Sequence, residues 1–164
     1  MVFSPASIST TARPCSTSWR KTILLTDVNV LVYAFRPDLP RHSEYRAWLT
    51  ETAGSDSAFG LSDVVLSGFL RIVTNPRAFA RPDPIEAAIV FVEALRSRPN
   101  AVPITPGRRH WDIFAELCRA VEAKGNLVPD AYLAALAIES GSDWITADRD
   151  YSRFPGLRWR HPLD

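Results

Sequence analysis

Short apolar runs alternate with longer segments of helical periodicity from Thr22 to the C-terminus, and this alternation constrains the fold more than any other feature. The strand candidates are 22–27, 57–62, 101–105, 143–146 and 157–159. The helix candidates are 28–36, 42–49, 63–74, 82–97, 109–125 and 129–141. Short apolar runs of this kind are typical of buried parallel strands. Their alternation with helices predicts an α/β fold with a mainly parallel central sheet.

The length of 164 residues is sufficient for one domain with a single hydrophobic core. Residues 1–21 are rich in Ser, Thr and Pro and contain no acidic residue, so we interpret them as a disordered extension and assign the folded domain to residues 22–164. No stretch approaches the run of ~18 apolar residues that spans a bilayer. Cys15 and Cys118 match neither a disulfide framework nor a metal-ligand spacing, and we therefore expect a cytoplasmic protein.

Four aspartates lie at positions that can meet at the carboxyl ends of the strands of a parallel sheet. Asp27 ends the first strand candidate, Asp148 and Asp150 follow the strand 143–146, and Asp130 lies at the start of a helix. Ligands of open α/β sheets bind outside the carboxyl ends of the strands, so these four acids can converge on one place. Clustered carboxylates repel one another unless a cation joins them, and their oxygens suit Mg²⁺ or Mn²⁺. Such a site can activate water and hold a phosphodiester.

Three of these acids also have a purely structural interpretation. Asp130 suits the first turn of its helix, where the helix dipole stabilises an acid, and Asp148 and Asp150 suit the turn that leaves a strand. Asp27 is different, because it lies between the apolar run ILLT and the residues VNVL, and a buried carboxylate without partners is costly. The joint occurrence of all four favours a functional site.

Four segments, in order, resemble one family. The segments are LLTDVNVLVYAF (24–35), SDVVLSGFLRIVTNPRAF (62–79), VPDAYLAALAIESG (128–141) and WITADRDYSRFPGLRW (144–159). Together they resemble the PIN domain and, within it, the VapC-type toxins of bacterial toxin–antitoxin pairs. The resemblance extends over about residues 22–161 and implies a three-layer α/β/α PIN-like fold.

The resemblance implies a Mg²⁺-dependent endoribonuclease, in which Mn²⁺ can substitute and a metal-activated water cleaves structured RNA such as transfer or ribosomal RNA. It implies that Asp27, Asp130 and Asp148 bind the metal, and that these three and Asp150 form the catalytic set. Asn29 and Thr146 match the polar residues that support the acids. The family also implies a homodimer and a cognate VapB-type antitoxin that blocks the acidic site.

One position departs from the family pattern. The family carries a Glu on the helix after the second strand, and Gly68 occupies that place here. Asp63 lies five residues earlier, about 140° away around the helix, and is therefore a poor substitute. Ser62 supplies a hydroxyl near the expected site, although a helix N-cap is its simpler role. The departure leaves the number of bound ions open.

The remaining polar and aromatic residues give weaker signals. We consider four arginines as RNA contacts, with a solvated surface role as the alternative: Arg71, Arg77, Arg149 and Arg153. The histidines fall in no zinc pattern, and His110 is expected at the surface or at a helix cap. The tryptophans that lie in apolar periodic patterns are expected in the core or at an interface: Trp48, Trp111, Trp144 and Trp159.

Two alternatives to the nuclease remain open at this point. The first is an inactive PIN-like module that binds RNA or a protein without cleaving it, and Gly68 motivates this alternative. The second is a phosphatase with Asp27 as nucleophile, although such enzymes place a second acid two residues later, where this chain has Asn29.

Overall fold

The structure, a computed structural model, describes residues 22–164, and the predicted disordered extension at residues 1–21 lies outside this range. Five short strands form one sheet in the order β3-β2-β1-β4-β5. The strands are β1 (Leu24–Thr26), β2 (Phe59–Leu61), β3 (Ala101–Pro103), β4 (Asp143–Ile145) and β5 (Trp159–Arg160). All four strand pairings are parallel, which confirms the predicted parallel sheet.

Six α-helices of the described region connect and cover these strands. They are α1 (Val28–Phe35), α2 (His42–Gly54), α3 (Asp63–Val73), α4 (Ile85–Arg96), α5 (His110–Ala120) and α6 (Leu127–Ser140). A 3₁₀ helix, Arg149–Arg153, lies between β4 and β5. Helix α1 packs against α2 and α3, α3 against α4, and α5 against α6. The predicted three-layer α/β/α architecture is therefore confirmed.

Several helix ends differ from the prediction. Helix α2 continues to Gly54, five residues beyond the predicted end, because Thr52 and Ala53 remain on its buried face. Helix α5 ends at Ala120 and not at Gly125, because Glu122 adopts a left-handed φ of 48° that ends the helical path. Helix α6 begins two residues earlier than predicted and contains Pro129 in its first turn, where a missing N–H costs nothing.

The strand order creates a switch point at the centre of the sheet. β1 pairs with β2 on one side and with β4 on the other, with Leu24 opposite Phe59 and Leu25 opposite Trp144. The chain therefore leaves β1 in one direction toward β2 and β3, and returns to the other side for β4 and β5. In open α/β sheets, such a switch point forms a crevice outside the carboxyl ends of the two central strands.

The hydrophobic core lies on both sides of these central strands. The largest side chains that are fully buried include Trp144, Phe59 and Phe69. Trp111, expected in the core or at an interface, is 70% exposed on the outer face of α5 and is not part of the core. One sequence expectation needs correction. His110 is buried, not at the surface, and its Nε2 lies 3.0 Å from the carbonyl oxygen of Tyr132 on the neighbouring helix. Within residues 22–164, no helix is long and apolar enough to cross a membrane.

Candidate active site

Asp27 occupies the switch point of the sheet. Its backbone N–H continues the strand ladder by donating to the carbonyl oxygen of Ile145 at 2.8 Å, and its side chain caps helix α1. Carboxylate oxygen Oδ1 accepts the N–H of Val28 at 2.6 Å. Oδ2 accepts the Thr146 hydroxyl at 2.6 Å and the Asn29 amide at 2.8 Å. The side chain is buried, and these three hydrogen bonds fix its orientation.

Thr146 and Asn29 join the two central strands around this carboxylate. The Asn29 amide also donates to Thr146 Oγ1 at 3.1 Å, and Asn29 Oδ1 accepts the N–H of Ala147. Thr146 Oγ1 in turn accepts the N–H of Asp148 at 3.0 Å. The residues after β4 are thus held against the start of α1 by side chains, since a single hydroxyl contacts Asp27, Asn29 and Asp148.

Asp130 reaches the same place from the first turn of helix α6. Its carboxylate is half-buried, and Oδ1 accepts a hydrogen bond from the Tyr151 hydroxyl at 3.4 Å. Burial raises the pKa of the Tyr151 phenol above its usual range, so the hydroxyl stays protonated and remains a donor. Tyr151 was not predicted as a site residue. Its position directly after the TADRD segment gave no sign of this role, since aromatic residues are more often core.

Asp27, Asp130 and Asp148 line one cavity of about 420 Å³. Asp148 is exposed at its rim, where Oδ1 accepts the N–H of Asp150 at 2.8 Å. The rest of the lining includes an apolar wall formed by residues of α1, by one residue in the loop between α1 and α2, by one residue near the end of α3 and by one residue that follows α3. Its members are Val28, Val32, Leu39, Ile72, Tyr33 and Phe79. In the sequence these residues are indistinguishable from core hydrophobes, so sequence reasoning missed the wall.

The electrostatics of the cavity reflect its concentration of negative charge. Burial raises the pKa of Asp27 from 3.8 to about 6, against the hydrogen bonds from Thr146 and Val28, and the charges of Asp130 and Asp148 raise it further. Burial and the charge of Asp148 also raise the pKa of Asp130. The charges of Asp130 and Asp148 thus oppose ionisation of Asp27, and the charge of Asp148 opposes ionisation of Asp130; a cation bound among them would favour the ionised forms of Asp27 and Asp130.

The oxygen donors of the cavity fit a hard divalent ion. Among residues 22–164, no three His, Cys, Asp or Glu side chains are close enough together to enclose an ion by themselves. Mg²⁺ does not require such an enclosure, because it keeps several waters and is commonly bound through one or two carboxylates plus substrate phosphate. A site of carboxylates that is open on one side, with no nitrogen or sulfur ligand, suits Mg²⁺ or Mn²⁺ and is unlike a zinc site.

Asp150 is not among the cavity-lining residues. Its carboxylate is exposed and accepts a hydrogen bond from Arg153 at 3.2 Å. It is close enough to Asp130 for its charge to raise the pKa of that carboxyl. The structure thus places Asp150 and Arg153 together beside the cavity, and Arg149 is exposed on the same 3₁₀ helix.

The residues predicted around helix α3 lie outside the cavity. Ser62 is buried at the N-cap position of α3, but its side chain makes no capping hydrogen bond and does not line the cavity. Asp63 is exposed, pairs with Arg96 at 2.6 Å and does not line the cavity. Gly68 faces α1, and a Cβ there would lie 3.0 Å from Val28 Cγ2. The position of the usual Glu therefore packs beside the residue that follows Asp27.

Arg71 and Arg77, predicted as RNA contacts, are both exposed and do not line the cavity. Each lies within two residues of a wall residue, Ile72 or Phe79. Neither makes an ion pair within the described region.

Comparison with protein families matches residues 24–157 to the PIN domain. The chain belongs to the PIN-domain family. Among similar proteins, VapC ribonuclease Mb2897 of Mycobacterium bovis is 49% identical over 142 residues, covering 87% of this chain and 97% of that protein. Ribonuclease VapC25 of Mycobacterium tuberculosis is 39% identical over 140 residues, covering 85% and 99%. Within the PIN-domain family, this chain is thus of the VapC type.

Solved structures share the PIN fold of this chain. The structure of VapBC2 from Rickettsia felis, bound to a DNA fragment from the VapBC2 promoter, has a TM-score of 0.62 at 20% identity, and the match covers 85% of this chain and 98% of that chain. VapC20 of Mycobacterium tuberculosis, a Sarcin-Ricin loop cleaving toxin, has a TM-score of 0.55 at 18% identity and covers 82% and 98%. At these identities, the likeness establishes the fold.

Proposed function

We propose that this PIN domain is a Mg²⁺-dependent endoribonuclease and the toxin of a VapBC-type toxin–antitoxin pair. The observation that carries the proposal is the position of Asp27, Asp130 and Asp148, which line one cavity at the carboxyl ends of β1 and β4. The names of its ribonuclease relatives support the same activity. Mn²⁺ suits the same oxygen donors and is expected to replace Mg²⁺.

The proposed ligands of the ion are Asp27, Asp130 and Asp148, of which one or two would bind it directly and the others through its bound water. When bound, the ion would lower the pKa of a water molecule and stabilise negative charge on the scissile phosphate. Thr146 and Asn29 hold Asp27 in one orientation through the hydrogen bonds to Oδ2. These residues act as positioning groups, since they set the direction of the Asp27 lone pairs without contacting substrate.

Two further residues complete the polar side of the proposed site. Tyr151 donates to Asp130 and leaves the other oxygen of that carboxylate for the ion. Asp150, from its place beside the cavity, adds negative charge that draws a cation toward Asp130. The proposed role of Asp150 is therefore electrostatic, and Asp150 is not proposed as a metal ligand. Ser62 has no part in the proposed chemistry, because it does not line the cavity.

The proposed substrate is structured RNA, such as transfer or ribosomal RNA, cleaved in the cytoplasm. Four exposed arginines are proposed to contact RNA phosphates, which positions a backbone without reading its sequence: Arg71, Arg77, Arg149 and Arg153. A structural relative that cleaves the Sarcin-Ricin loop supports ribosomal RNA as one candidate. The proposed assembly is a homodimer with a VapB-type antitoxin, and the solved VapBC complexes of the same fold support the antitoxin.

The proposal is tested by incubating the purified full chain with total RNA and Mg²⁺ or Mn²⁺, with an EDTA control. The Asp27→Asn variant is expected to lose cleavage. The matched control is Asp63→Asn, which neutralises an exposed acid that pairs with Arg96 outside the cavity, and this variant is expected to cleave normally. Fragments that persist in EDTA, or equal cleavage by the Asp27 and Asp63 variants, would contradict the proposal.

One alternative is favoured by a specific observation. Gly68 leaves α3 without the acid that the family usually carries there, which is consistent with a PIN-like module that binds RNA without cleaving it. In the same assay, RNA retained intact by the wild-type chain in the presence of Mg²⁺ would favour this module. A phosphatase with Asp27 as nucleophile is disfavoured, because such enzymes place a second acid two residues later, where this chain has Asn29, whose amide donates to Asp27 Oδ2.

A further inference from the structure

The carboxylate cavity has a second side that the metal chemistry does not use. Apart from the three acids, Asn29 and Tyr151, the cavity is lined by the apolar wall of aliphatic side chains and two aromatic rings, Tyr33 and Phe79. A site that bound only a phosphodiester and a hydrated ion would be polar throughout, since both ligands are fully charged. The wall therefore indicates that an apolar surface of the substrate enters next to the phosphate.

Each of the two aromatic rings is held by a partner that does not line the cavity. Tyr33 stacks on Tyr45 with ring centroids 4.8 Å apart and an interplanar angle of 20°. The Arg36 guanidinium lies over the Phe79 ring, 3.8 Å from its centroid. Neither Tyr45 nor Arg36 contributes to the cavity lining, so both rings are supported from outside the cavity.

Arg36 is itself fixed by a set of charged and backbone partners. It is a buried arginine, and its guanidinium donates to Asp38 at 2.8 Å, to the carbonyl oxygen of Arg81 at 3.1 Å, and to Asp83. These bonds connect the end of α1 to the segment that leads into α4 and leave the guanidinium no freedom to rotate. The Phe79 ring therefore rests on a rigid planar surface, and it presents its remaining surface to the cavity.

We propose that the apolar wall is a base-binding subsite, in which Phe79 and Tyr33 receive one unstacked nucleobase next to the scissile phosphate. The inference rests on the proposed ribonuclease function and adds the form of RNA that it acts on. A nucleobase has two apolar faces and is covalently tied to the phosphate that the carboxylate side would receive. Aromatic side chains bind bases in this way without requiring a particular sequence.

The size of the cavity agrees with this occupant. A volume of about 420 Å³ lies within the range of small-ligand sites and is too small for a base-paired helix. A base within a duplex is stacked on both faces and cannot reach a protein ring. The substrate is therefore RNA in which a nucleotide at the cleaved bond is unpaired, as in a loop, a bulge or a single strand.

The experiment compares an intact oligoribonucleotide with the same oligomer lacking one base. The cleaved bond is first mapped on a fluorescein-labelled, unstructured decamer in Mg²⁺. An abasic residue is then placed on either side of that bond or, if no bond is cleaved, at each position of the decamer in turn. Binding by the full chain is measured by fluorescence anisotropy in EDTA, and cleavage kinetics are measured in Mg²⁺. Removal of the base that occupies the wall is expected to weaken binding or raise KM about tenfold, the range expected for loss of one stacked base.

The decisive variant is Phe79→Leu, which keeps the wall apolar but removes the ring. It is expected to bind the intact and abasic oligomers equally, whereas Phe79→Tyr keeps the difference. Trp111→Leu is the matched control, because it removes an exposed ring outside the cavity, and it is expected to behave as wild type. Thermal unfolding of each variant verifies that the fold is retained.

The outcomes separate the subsite from the nuclease. If wild type and Phe79→Leu respond alike to base removal, including the case in which neither binds measurably, the subsite is refuted while cleavage of the intact oligomer stands. This is also the result expected if the wall receives an apolar side chain of a protein partner. If the wild-type chain cleaves no RNA in Mg²⁺ but still prefers the intact oligomer through Phe79, the nuclease proposal fails and the base-binding wall remains.

Discussion

Raising the pH in the absence of divalent ions is expected to destabilise this PIN domain through Asp27. Burial raises the pKa of Asp27 from 3.8 to about 6 in the folded state, whereas the unfolded chain keeps the lower value. A carboxyl with a raised folded pKa stabilises the fold while it is protonated. This contribution is fully present below pH 3.8 and is lost as the pH rises through about 6.

The magnitude follows from the size of the shift. Each pKa unit corresponds to about 1.4 kcal/mol, so a shift of about two units removes about 3 kcal/mol of the free energy of unfolding over the whole window. At pH 5, roughly half of this contribution remains. The charges of Asp130 and Asp148 are part of the cause, and a bound cation would oppose them, so saturating Mg²⁺ at pH 7.5 is expected to restore the loss.

The assay is urea unfolding of wild type and Asp27→Asn, in EDTA, at pH values from 4.5 to 7.5. Asp27→Asn lowers the free energy of unfolding by an amount that does not depend on pH, because it alters the hydrogen bonds to Thr146 and Asn29. The ionisation of Asp27 is therefore measured by how the difference in free energy of unfolding between the two proteins changes with pH. Wild type should lose stability relative to the variant as the pH rises. A second series with Mg²⁺ should stabilise wild type at pH 7.5 and leave the variant almost unchanged.

Two results would refute this reasoning. A difference between wild type and Asp27→Asn that is independent of pH would mean that the buried carboxyl is not destabilised by ionisation. Equal stabilisation of both proteins by Mg²⁺ would mean that the ion binds elsewhere, and the proposed ligand set around Asp27 would be wrong.

Three further changes test other parts of the site. Thr146→Val is expected to lower the free energy of unfolding in urea by about 1–3 kcal/mol and to slow RNA cleavage, because it removes the hydroxyl that donates to Asp27 and accepts the Asp148 N–H. Unchanged stability and activity would contradict this hydrogen-bond network. Arg36→Met is expected to lower the free energy of unfolding by about 3 kcal/mol. This is the lower end of the range for breaking a buried ion pair, because the acidic partners of Arg36 are partly exposed. A thermal unfolding midpoint equal to that of wild type would contradict a structural role for Arg36. Asp148→Asn is expected to reduce cleavage by about 10–100-fold, whereas Asp150→Asn has a much smaller effect because its side chain does not line the cavity; the reverse order in a gel assay would exchange the two roles.

Local sequence pattern determined the elements and their type. The apolar run that ends at Asp27 is a strand, and the helices with clear apolar spacing are helices, because burial of one face and chain geometry act over a few residues. The helix ends were less predictable. Helix α5 stops five residues before Gly125 because Glu122 turns into the left-handed region, a conformation that a glutamate rarely adopts and that its sequence does not announce.

The sequence also indicated which acids to consider, since three of the four aspartates that follow strands or open a helix do line one cavity. Residue type and spacing did not separate Asp148 from Asp150, and only the family resemblance predicted Asp148, but not Asp150, as a metal ligand. A single residue separates the two. Which of them faces the cavity is decided by the hydrogen bond from the Asp150 N–H to Asp148 Oδ1 and by the pairing of Asp150 with Arg153. Such a choice depends on the path of one turn and not on residue type.

The sequence by itself thus determined the α/β alternation, the parallel sheet and the acidic character of its edge, because these depend on local periodicity and on residue type. Only the tertiary structure decided that Tyr151 donates to Asp130, and that Tyr33 and Phe79 form an apolar wall beside the acids with Arg36 behind one ring. These contacts join residues that are distant along the chain. Their side chains are as suitable for a core as for a cavity, so their neighbours in the folded protein, and not their identity, set what they do.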